Sequence, residues 1–259
     1  MIFCNLGSGS RGNSSYIECD GTSVLIDQGF SAIELTRRMQ ETGLHPESVK
    51  AIILTHDHHD HSKGIGVFAR KYKTPVYLTE FTRNILPADL LKNVIVKTFT
   101  TGDTFHIANI TFKSFHIPHD AVDPVGFIIS SKDKHMAHLT DLGKPIQSVI
   151  YQLNSYSFDL VFLESNHDPE MLRTGPYPLK LQMRIKSRDG HLSNDQSLEL
   201  LTKINQNGHL RHLVLGHLSE ENNHPDLVRN IFQRYKTENN HNFQITIAKQ
   251  TEPTNIIEL

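Results

Sequence analysis

The feature that most constrains the fold of this chain is a run of six polar residues, 56–61, with the sequence H-D-H-H-D-H. The run comes directly after an apolar segment, 51–55, with the sequence A-I-I-L-T. Imidazole and carboxylate groups are the ligands of zinc and related divalent ions. An apolar segment that ends in such groups is typical of a buried strand whose carboxyl end faces a crevice. A metal-dependent hydrolase is therefore the first hypothesis.

Size and composition are those of an ordinary globular protein. The chain has 259 residues, of which 37% are hydrophobic and 21% are charged. We expect one domain over residues 1–259, because no linker-like segment divides the sequence. The formal net charge is −2, so contact with a polyanion would require a local basic patch rather than a basic protein as a whole.

The expected compartment follows from the cysteines and the apolar segments. Cys4 and Cys19 provide neither a disulfide framework nor a C-x-x-C motif, which fits a reducing environment. No apolar stretch reaches the roughly 18 residues of a membrane helix, and the first residues lack a signal-peptide pattern. We therefore expect a cytoplasmic protein with no membrane partner.

Turn and capping patterns predict strands and helices in both halves of the chain. The pair 20–21, D-G, predicts a hairpin turn between two short strands. Ser31 with Glu34, and Ser193 with Gln196, predict capping boxes that begin helices. Hairpins and strand-to-helix units occur in both halves, so two packed sheets with helices on their outer faces would cover both.

Potential metal ligands follow apolar segments at four places. These places hold His56, His58, Asp60 and His61, then His119, then Asp141, and finally His217. Residues two positions apart in an extended backbone point to the same side, so His56 and His58 can face one ion. Asp60 and His61 lie in the turn before a helix and can face a second ion. Gathering such groups without a cation would be costly.

The order of these groups resembles the metallo-β-lactamase superfamily. The matching pattern is T-H-x-H-x-D-H, a later histidine, an aspartate after a strand and a final strand-end histidine. The resemblance covers essentially the whole chain. It implies an α+β fold of four layers, an αββα sandwich, with a binuclear metal site on one edge.

The resemblance also implies a role for each matching residue. The implied ligands are His56, His58 and His119 for one ion, Asp60, His61 and His217 for the other, and Asp141 as the bridge between them. Asp27, at the end of a short apolar strand, is expected to orient a ligand imidazole by a hydrogen bond, and Asp57 is a further candidate for this role.

The expected chemistry is hydrolysis by a metal-bound hydroxide. Two ions about 3.5–4 Å apart can lower the pKa of a water between them toward neutrality. Asp60 is included among the catalytic residues, since its loss should remove one ion and most of the activity. The donor types suit two divalent ions of Zn, Mn or Fe. A redox di-iron role is disfavoured, because those relatives usually carry a glutamate where this chain has His58.

Shorter motifs resemble the YycJ-like (WalJ/VicX) branch of the superfamily. They are GSGSRGNSS from Gly7, PHDA from Pro118, TDLG from Thr140, ESNHD from Glu164, GHLSN from Gly190 and HLSxxNN from His217. That branch is associated with metal-dependent exonuclease activity on DNA. The resemblance therefore implies a phosphodiesterase that acts on DNA in the 5′-to-3′ direction.

Residues outside the ligand set are assigned to proton transfer and substrate binding. A partial similarity to the tRNA 3′-processing endoribonucleases implies His191 as proton donor to the leaving oxygen, and His167 is a candidate on the same rim. The residues expected to bind substrate are Ser10, Asn13, Asn166, Arg184 and Asn222. Loop 7–15 could offer amides to a phosphate or be a simple turn, and the basic stretch 184–188 could bind a nucleic-acid backbone or be solvated. Tyr177 and Phe30 are candidate stacking residues.

Two other functions stay open from the sequence. One is a thioester or lactone hydrolase of the hydroxyacylglutathione hydrolase type, with a small-molecule substrate, which the slightly acidic net charge favours. The other is a regulatory or scaffolding protein with a vestigial site. The complete ligand set argues against this last function.

Overall fold

The structure is a computed structural model and describes residues 1–205 and 207–259. Its strands are β1 (Ile2–Gly7), β2 (Ser14–Cys19), β3 (Thr22–Ile26), β4 (Val49–Ile53), β5 (Val76–Thr79), β6 (Val96–Phe99), β7 (Thr104–Ile107), β8 (Ile110–His116), β9 (Val125–Ser131), β10 (Lys134–Leu139), β11 (Leu160–Glu164), β12 (His212–Gly216), β13 (Gln244–Ile247) and β14 (Ile257–Glu258). Its helices are α1 (Ala32–Glu41), α2 (His59–Ser62), α3 (Ile65–Tyr72), α4 (Glu80–Ile85), α5 (Ala88–Leu91), α6 (Gln147–Leu153), α7 (Pro169–Thr174), α8 (Leu179–Ile185), α9 (Asn194–Ile204) and α10 (Pro225–Glu238). In the described part of the chain, no helix combines the length and apolarity needed to cross a membrane.

The strands form two seven-stranded sheets, in the orders β14-β1-β2-β3-β4-β5-β6 and β13-β12-β11-β10-β9-β8-β7. In the first sheet, pairing is antiparallel from β14 to β3 and parallel from β3 to β6. In the second, pairing is parallel from β13 to β10 and antiparallel from β10 to β7. Parallel strands end at a common edge of their sheet, so the residues that follow them are brought together.

Apolar side chains fill the space between the sheets and cover both outer faces. Between the sheets, the rings of Phe3 and Phe162 lie 5.9 Å apart within one buried cluster. A second cluster includes Leu35 and packs α1 and α3 on the first sheet. A third includes Phe232 and packs α6, α9 and α10 on the second sheet. The order of layers is helix, sheet, sheet, helix, which confirms the predicted αββα fold.

Local turn and capping chemistry explains several element boundaries. The pair 20–21 joins β2 to β3 with φ angles of 47° and 77°, the left-handed conformations that a tight D-G hairpin turn requires. The predicted capping box of Ser193 and Gln196 is present at α9. At α1 the prediction was half wrong. Ser31 accepts a hydrogen bond from the backbone N–H of Glu34, but the Glu34 carboxylate pairs with arginines of its own helix instead.

Candidate metal centre

Residues that follow parallel strands form the candidate metal centre. Asp27 follows β3, His56 follows β4, Asp141 follows β10 and His217 follows β12. Three of them have left-handed backbone conformations, with φ of 61° at Asp27, 50° at Asp141 and 55° at His217. Residues other than glycine rarely adopt this conformation, and where surrounding contacts impose it the site is often functional. Three residues in this conformation therefore lie together at this edge of the sandwich.

The first group of ligand atoms consists of three imidazoles. The ring nitrogens of His56, His58 and His119 lie within 4.8 Å of one another. Nδ1 of His119 is 3.1 Å from the carbonyl oxygen of Gly190, which can only accept, so this nitrogen carries the proton. Nε2 of His119 is then an unprotonated ligand atom, and it lies 3.2 Å from Nδ1 of His58. Burial lowers the pKa of His119 to about 4, which keeps the ring neutral.

The second group combines a carboxylate with two imidazoles. Ligand atoms of Asp60, His61 and His217 also lie within 4.8 Å of one another. Nδ1 of His61 is 2.8 Å from the buried Asp27 carboxylate and donates to it, so Nε2 of His61 is the ring nitrogen that would give up its proton to bind a cation. Asp27 therefore makes the expected hydrogen bond to an imidazole of the cluster.

Asp141 lies between the two groups. Its Oδ2 is 2.9 Å from Nε2 of His61 and 3.3 Å from Nδ1 of His217, while its Oδ1 is 3.7 Å from Nε2 of His119. Burial would raise the pKa of Asp141, but His217 and His61 hold it well below its usual value. A buried, ionised carboxylate thus faces ligand atoms of both groups, where the sequence predicts a bridge.

The donor set fits a divalent cation. Among the residues that the structure describes, Nε2 of His56 and Nδ1 of His217 are buried without a hydrogen-bond partner, which is costly unless a cation satisfies them. Burial alone would lower the pKa of His61, yet the carboxylates of Asp141, Asp27 and Asp60 raise it well above its usual value. The same negative potential attracts a metal ion. Clustered imidazoles and carboxylates of this kind provide for divalent metal binding.

The sequence did not predict the residue that supports His191. Glu164, the last residue of β11, is fully buried, and its Oε1 is 2.7 Å from Nδ1 of His191. Its Oε2 accepts a hydrogen bond of 2.6 Å from the backbone N–H of Leu142. Burial alone would lower the pKa of His191, but the carboxylates of Glu164 and Asp141 raise it to about 9. The available signal was an acidic residue that ends an apolar strand.

An open cavity of about 480 Å³ adjoins the ligand cluster at His191 and His217. Three of the predicted substrate-binding residues, Ser10, Asn166 and Arg184, line it. The guanidinium of Arg184 is paired with the Asp120 carboxylate. The cavity is lined as well by the half-buried Tyr177, so of the two candidate stacking residues this one is accessible.

Several predicted residues lie elsewhere, and their predicted roles are corrected. Asn222 is fully buried behind the cavity wall, with its amide nitrogen toward Ser219 Oγ, and so does not face substrate. His167 is buried and forms an isolated β-bridge with Ser193. Burial lowers the pKa of His167 to about 4, so its ring is neutral near pH 7, which argues against a role as proton donor. Phe30 is buried under Arg38 and cannot stack on a base.

Asp57 and Asn13 also make contacts that differ from those predicted. The Asp57 carboxylate accepts a hydrogen bond of 3.1 Å from the backbone N–H of Val122, so it holds the loop after His119 rather than a ligand ring. Asn13 is buried and directs its amide at Asp60 and His61 instead of at the cavity. Both residues support the cluster from outside it.

Comparison with known proteins gives the family to which this architecture belongs. Residues 22–218 match the model of the beta-lactamase superfamily domain, and the chain belongs to this superfamily. The exodeoxyribonuclease YycJ of Bacillus anthracis is 36% identical over 236 residues, which cover 88% of this chain and 86% of the relative. The exodeoxyribonuclease WalJ of Streptococcus pneumoniae is 35% identical over 230 residues, which cover 86% and 83%.

A solved structure supports the fold independently. Zn(2+)-bound PqqB from Methylobacterium extorquens superposes with a TM-score of 0.72 over the full length of both chains, at 17% sequence identity. The predicted superfamily and its YycJ-like branch are confirmed by these matches. The predicted class of enzyme, a metal-dependent hydrolase, is confirmed with them.

Proposed function

We propose that this chain is a metal-dependent exonuclease that hydrolyses the phosphodiester bonds of DNA in the 5′-to-3′ direction. The observation that carries the proposal is the pair of His191 and Glu164 beside the ligand cluster, at the wall of an open cavity. An alkoxide that leaves from a phosphodiester needs a proton, whereas a thiolate leaving from a thioester does not. The likeness to two exodeoxyribonucleases supports the same substrate class.

The ligand cluster would hold two divalent ions. His56, His58 and His119 would bind one of them, Asp60, His61 and His217 the other, and Asp141 would contact both. When bound, such ions supply Lewis acidity, which polarises a phosphoryl oxygen and lowers the pKa of a water toward neutrality. The donor types suit Zn, Mn or Fe.

The side chains of the protein supply proton transfer and orientation. With Nδ1 of His191 donating to Glu164, its Nε2 is the atom left to give a proton to the leaving oxygen. The P–O bond to that oxygen breaks as the hydroxyl of a water joins phosphorus, and the remaining proton of that water passes to solvent. Glu164 is a positioning residue here, because it touches His191 and not the substrate. Its charge keeps the ring in the proton-bearing form.

The cavity beside His191 would bind the terminal nucleotide. Its volume of about 480 Å³ suits a single small ligand rather than a duplex. Tyr177 offers a ring for stacking on a base, and Ser10 and Asn166 offer polar groups. The 5′-to-3′ direction rests on the resemblance to the YycJ-like branch.

The direct test uses duplex and single-stranded DNA labelled separately at each end, with added Mn or Zn. We expect stepwise release of short products from the 5′ end, and loss of one ion and most activity in Asp60→Ala. Parallel assays with a thioester and a lactone serve as the comparison. Turnover of these without any DNA cleavage would favour the small-molecule hydrolase and refute the proposal.

A further inference from the structure

We infer that the glycine–serine loop, residues 7–15, positions the ligands of only one of the two ions, through the side chains of Asn13 and Ser8. The inference rests on the proposed binuclear centre. It states that the loop orients the ligands of one ion, which are Asp60, His61 and His217. It also gives the loop a role other than contact with substrate phosphate.

Asn13 is held in one orientation by its own loop. Its side chain is only 4% exposed, and its Oδ1 accepts hydrogen bonds from Gly9 N at 2.8 Å and from Ser8 Oγ at 3.1 Å. A backbone N–H can only donate, so the atom that faces Gly9 must be the amide oxygen. The amide nitrogen therefore lies between the carbonyl oxygen of Gly9, at 3.0 Å, and the ligand cluster.

That amide nitrogen contacts two of the ligands. Nδ2 of Asn13 lies 2.9 Å from Nε2 of His61 and 3.2 Å from Oδ2 of Asp60. These two atoms are the ones that would bind the ion, since Nδ1 of His61 is engaged with Asp27. One of the two Nδ2 hydrogens faces the carbonyl oxygen of Gly9 at 3.0 Å, so the other is left to donate to Oδ2 of Asp60, and the amide packs against Nε2 of His61. Asn13 thus keeps the Asp60 carboxylate and the His61 ring directed at one region. Ligands that are ordered in advance lose less freedom when the cation binds.

Ser8 extends the same support to the third ligand of that ion. The backbone N–H of His217 donates to Oγ of Ser8 at 2.8 Å, and the Ser8 hydroxyl donates in turn to Asn13. Ser8 is only 1% exposed, so water does not compete for these bonds. One connected network therefore reaches Asp60, His61 and His217 from a single loop.

The ligands of the other ion are oriented by different elements. His56 contacts Oγ1 of Thr55 at 2.9 Å, and His119 donates to the carbonyl oxygen of Gly190 at 3.1 Å. Among the described residues, no hydrogen bond connects the loop to His56, His58 or His119. A change in the loop should consequently affect one ion and spare the other.

The test is the metal content of Asn13→Ala, measured on the full-length protein without DNA. Ions per chain are counted by mass spectrometry after dialysis, and Mn and Zn affinities are measured by titration. We expect about two ions per chain in the wild type. In the variant, the affinity for the first ion should be unchanged and the affinity for the second should fall by about 10–100-fold. Arg11→Ala is the control, because this loop residue extends to Glu220 at the surface and should not alter either affinity.

Further variants identify the ion that is lost. On the Asn13→Ala background, His58→Ala should remove the remaining ion, whereas His217→Ala should cause no further loss. Ser8→Ala should also lower the affinity for the second ion. This variant provides the test if Asn13→Ala does not fold. Unchanged affinities in these variants, or equal loss of both ions, would overturn the inference while leaving the nuclease proposal intact. A wild type that binds one ion would contradict the binuclear centre itself.

Discussion

Replacing Glu164 by glutamine should disable proton donation by His191 without disturbing the metal ligands. Each oxygen of the buried Glu164 carboxylate has one partner, His191 Nδ1 at 2.7 Å and the backbone N–H of Leu142 at 2.6 Å. The Leu142 N–H requires an acceptor, so the glutamine oxygen must remain there and its NH₂ group must turn to His191. An NH₂ group facing Nδ1 allows only an unprotonated Nδ1, which disfavours the doubly protonated ring.

The expected loss follows from the contribution of general acid catalysis. Losing a positioned proton donor typically lowers turnover by about 10²–10⁴-fold, which corresponds to roughly 3–5 kcal/mol of transition-state stabilisation. The pH profile should change as well. The carboxylates of Glu164 and Asp141 together raise the pKa of His191 to about 9, and removal of the Glu164 charge lowers that pKa. Activity that needs the protonated ring should therefore be lost at a lower pH in the variant than in the wild type.

The assay compares two substrates under single-turnover conditions. One is 5′-labelled duplex DNA, and the other is thymidine 5′-monophosphate p-nitrophenyl ester, whose leaving group departs without a proton. Glu164→Gln should be slow on DNA and close to wild type on the ester, with metal content unchanged. His191→Ala should show the same pattern of rates on the two substrates. The variant that carries both substitutions should be no slower on DNA than either single variant.

A matched substitution separates this role from a general effect of glutamine. Glu199→Gln changes an exposed carboxylate that is paired with Lys203 on α9, and it should leave both rates unchanged. An equal loss on both substrates in Glu164→Gln, or a fall in its metal content, would mean that Glu164 is structural. Either result would refute the role given to His191.

Four further outcomes follow from the structure. Phe112→Ala, in the cluster between the sheets, should lower the free energy of unfolding by about 3–5 kcal/mol in urea denaturation, whereas Ile33→Ala, at a side chain 85% exposed, should change it by less than about 0.5 kcal/mol. Gly29→Ala should reduce bound metal, measured by mass spectrometry, because a Cβ there would lie 1.6 Å from the carbonyl oxygen of Asp60. Removing metal with a chelator should lower the melting temperature in calorimetry, and added Mn or Zn should restore it, since a ligand of the folded state stabilises that state. Burial raises the pKa of Cys4 to about 11, so the native protein should resist iodoacetamide at mildly alkaline pH and react only when unfolded.

The sequence predicted which imidazoles and carboxylates lie together, because they follow apolar strands. Strand ends at one edge of a sheet are close in space where the strands are parallel, which groups Asp141 after β10 with His217 after β12. His56 follows β4 of the other sheet, and the family resemblance is what grouped it with them. The αββα layers could be predicted from the same alternation of strands and helices together with the resemblance. Capping patterns predicted side-chain contacts less well where two partners compete for one side chain. Glu34 had arginines within one helical turn, and these replaced the expected contact with Ser31.

Residues that act through distant partners were the ones that sequence patterns misjudged. Asn13 contacts Asp60, 47 positions along the chain, and Glu164 contacts His191, 27 positions along. No periodicity or local motif encodes such pairs, because they depend on how two sheets and a loop pack together. Asn222 looked like a surface polar residue, yet the loop after β12 folds it fully inside.

The left-handed backbone at Asp27, Asp141 and His217 sets a conflict between stability and activity. Each such conformation in a residue other than glycine costs of the order of 1–3 kcal/mol, and glycine would relieve it. Substitutions of that kind would also remove groups that we propose to bind or orient the metal. Selection of this protein for thermal stability alone should therefore enrich variants with an emptied active site, and the most heat-resistant members of such a library should be the least active.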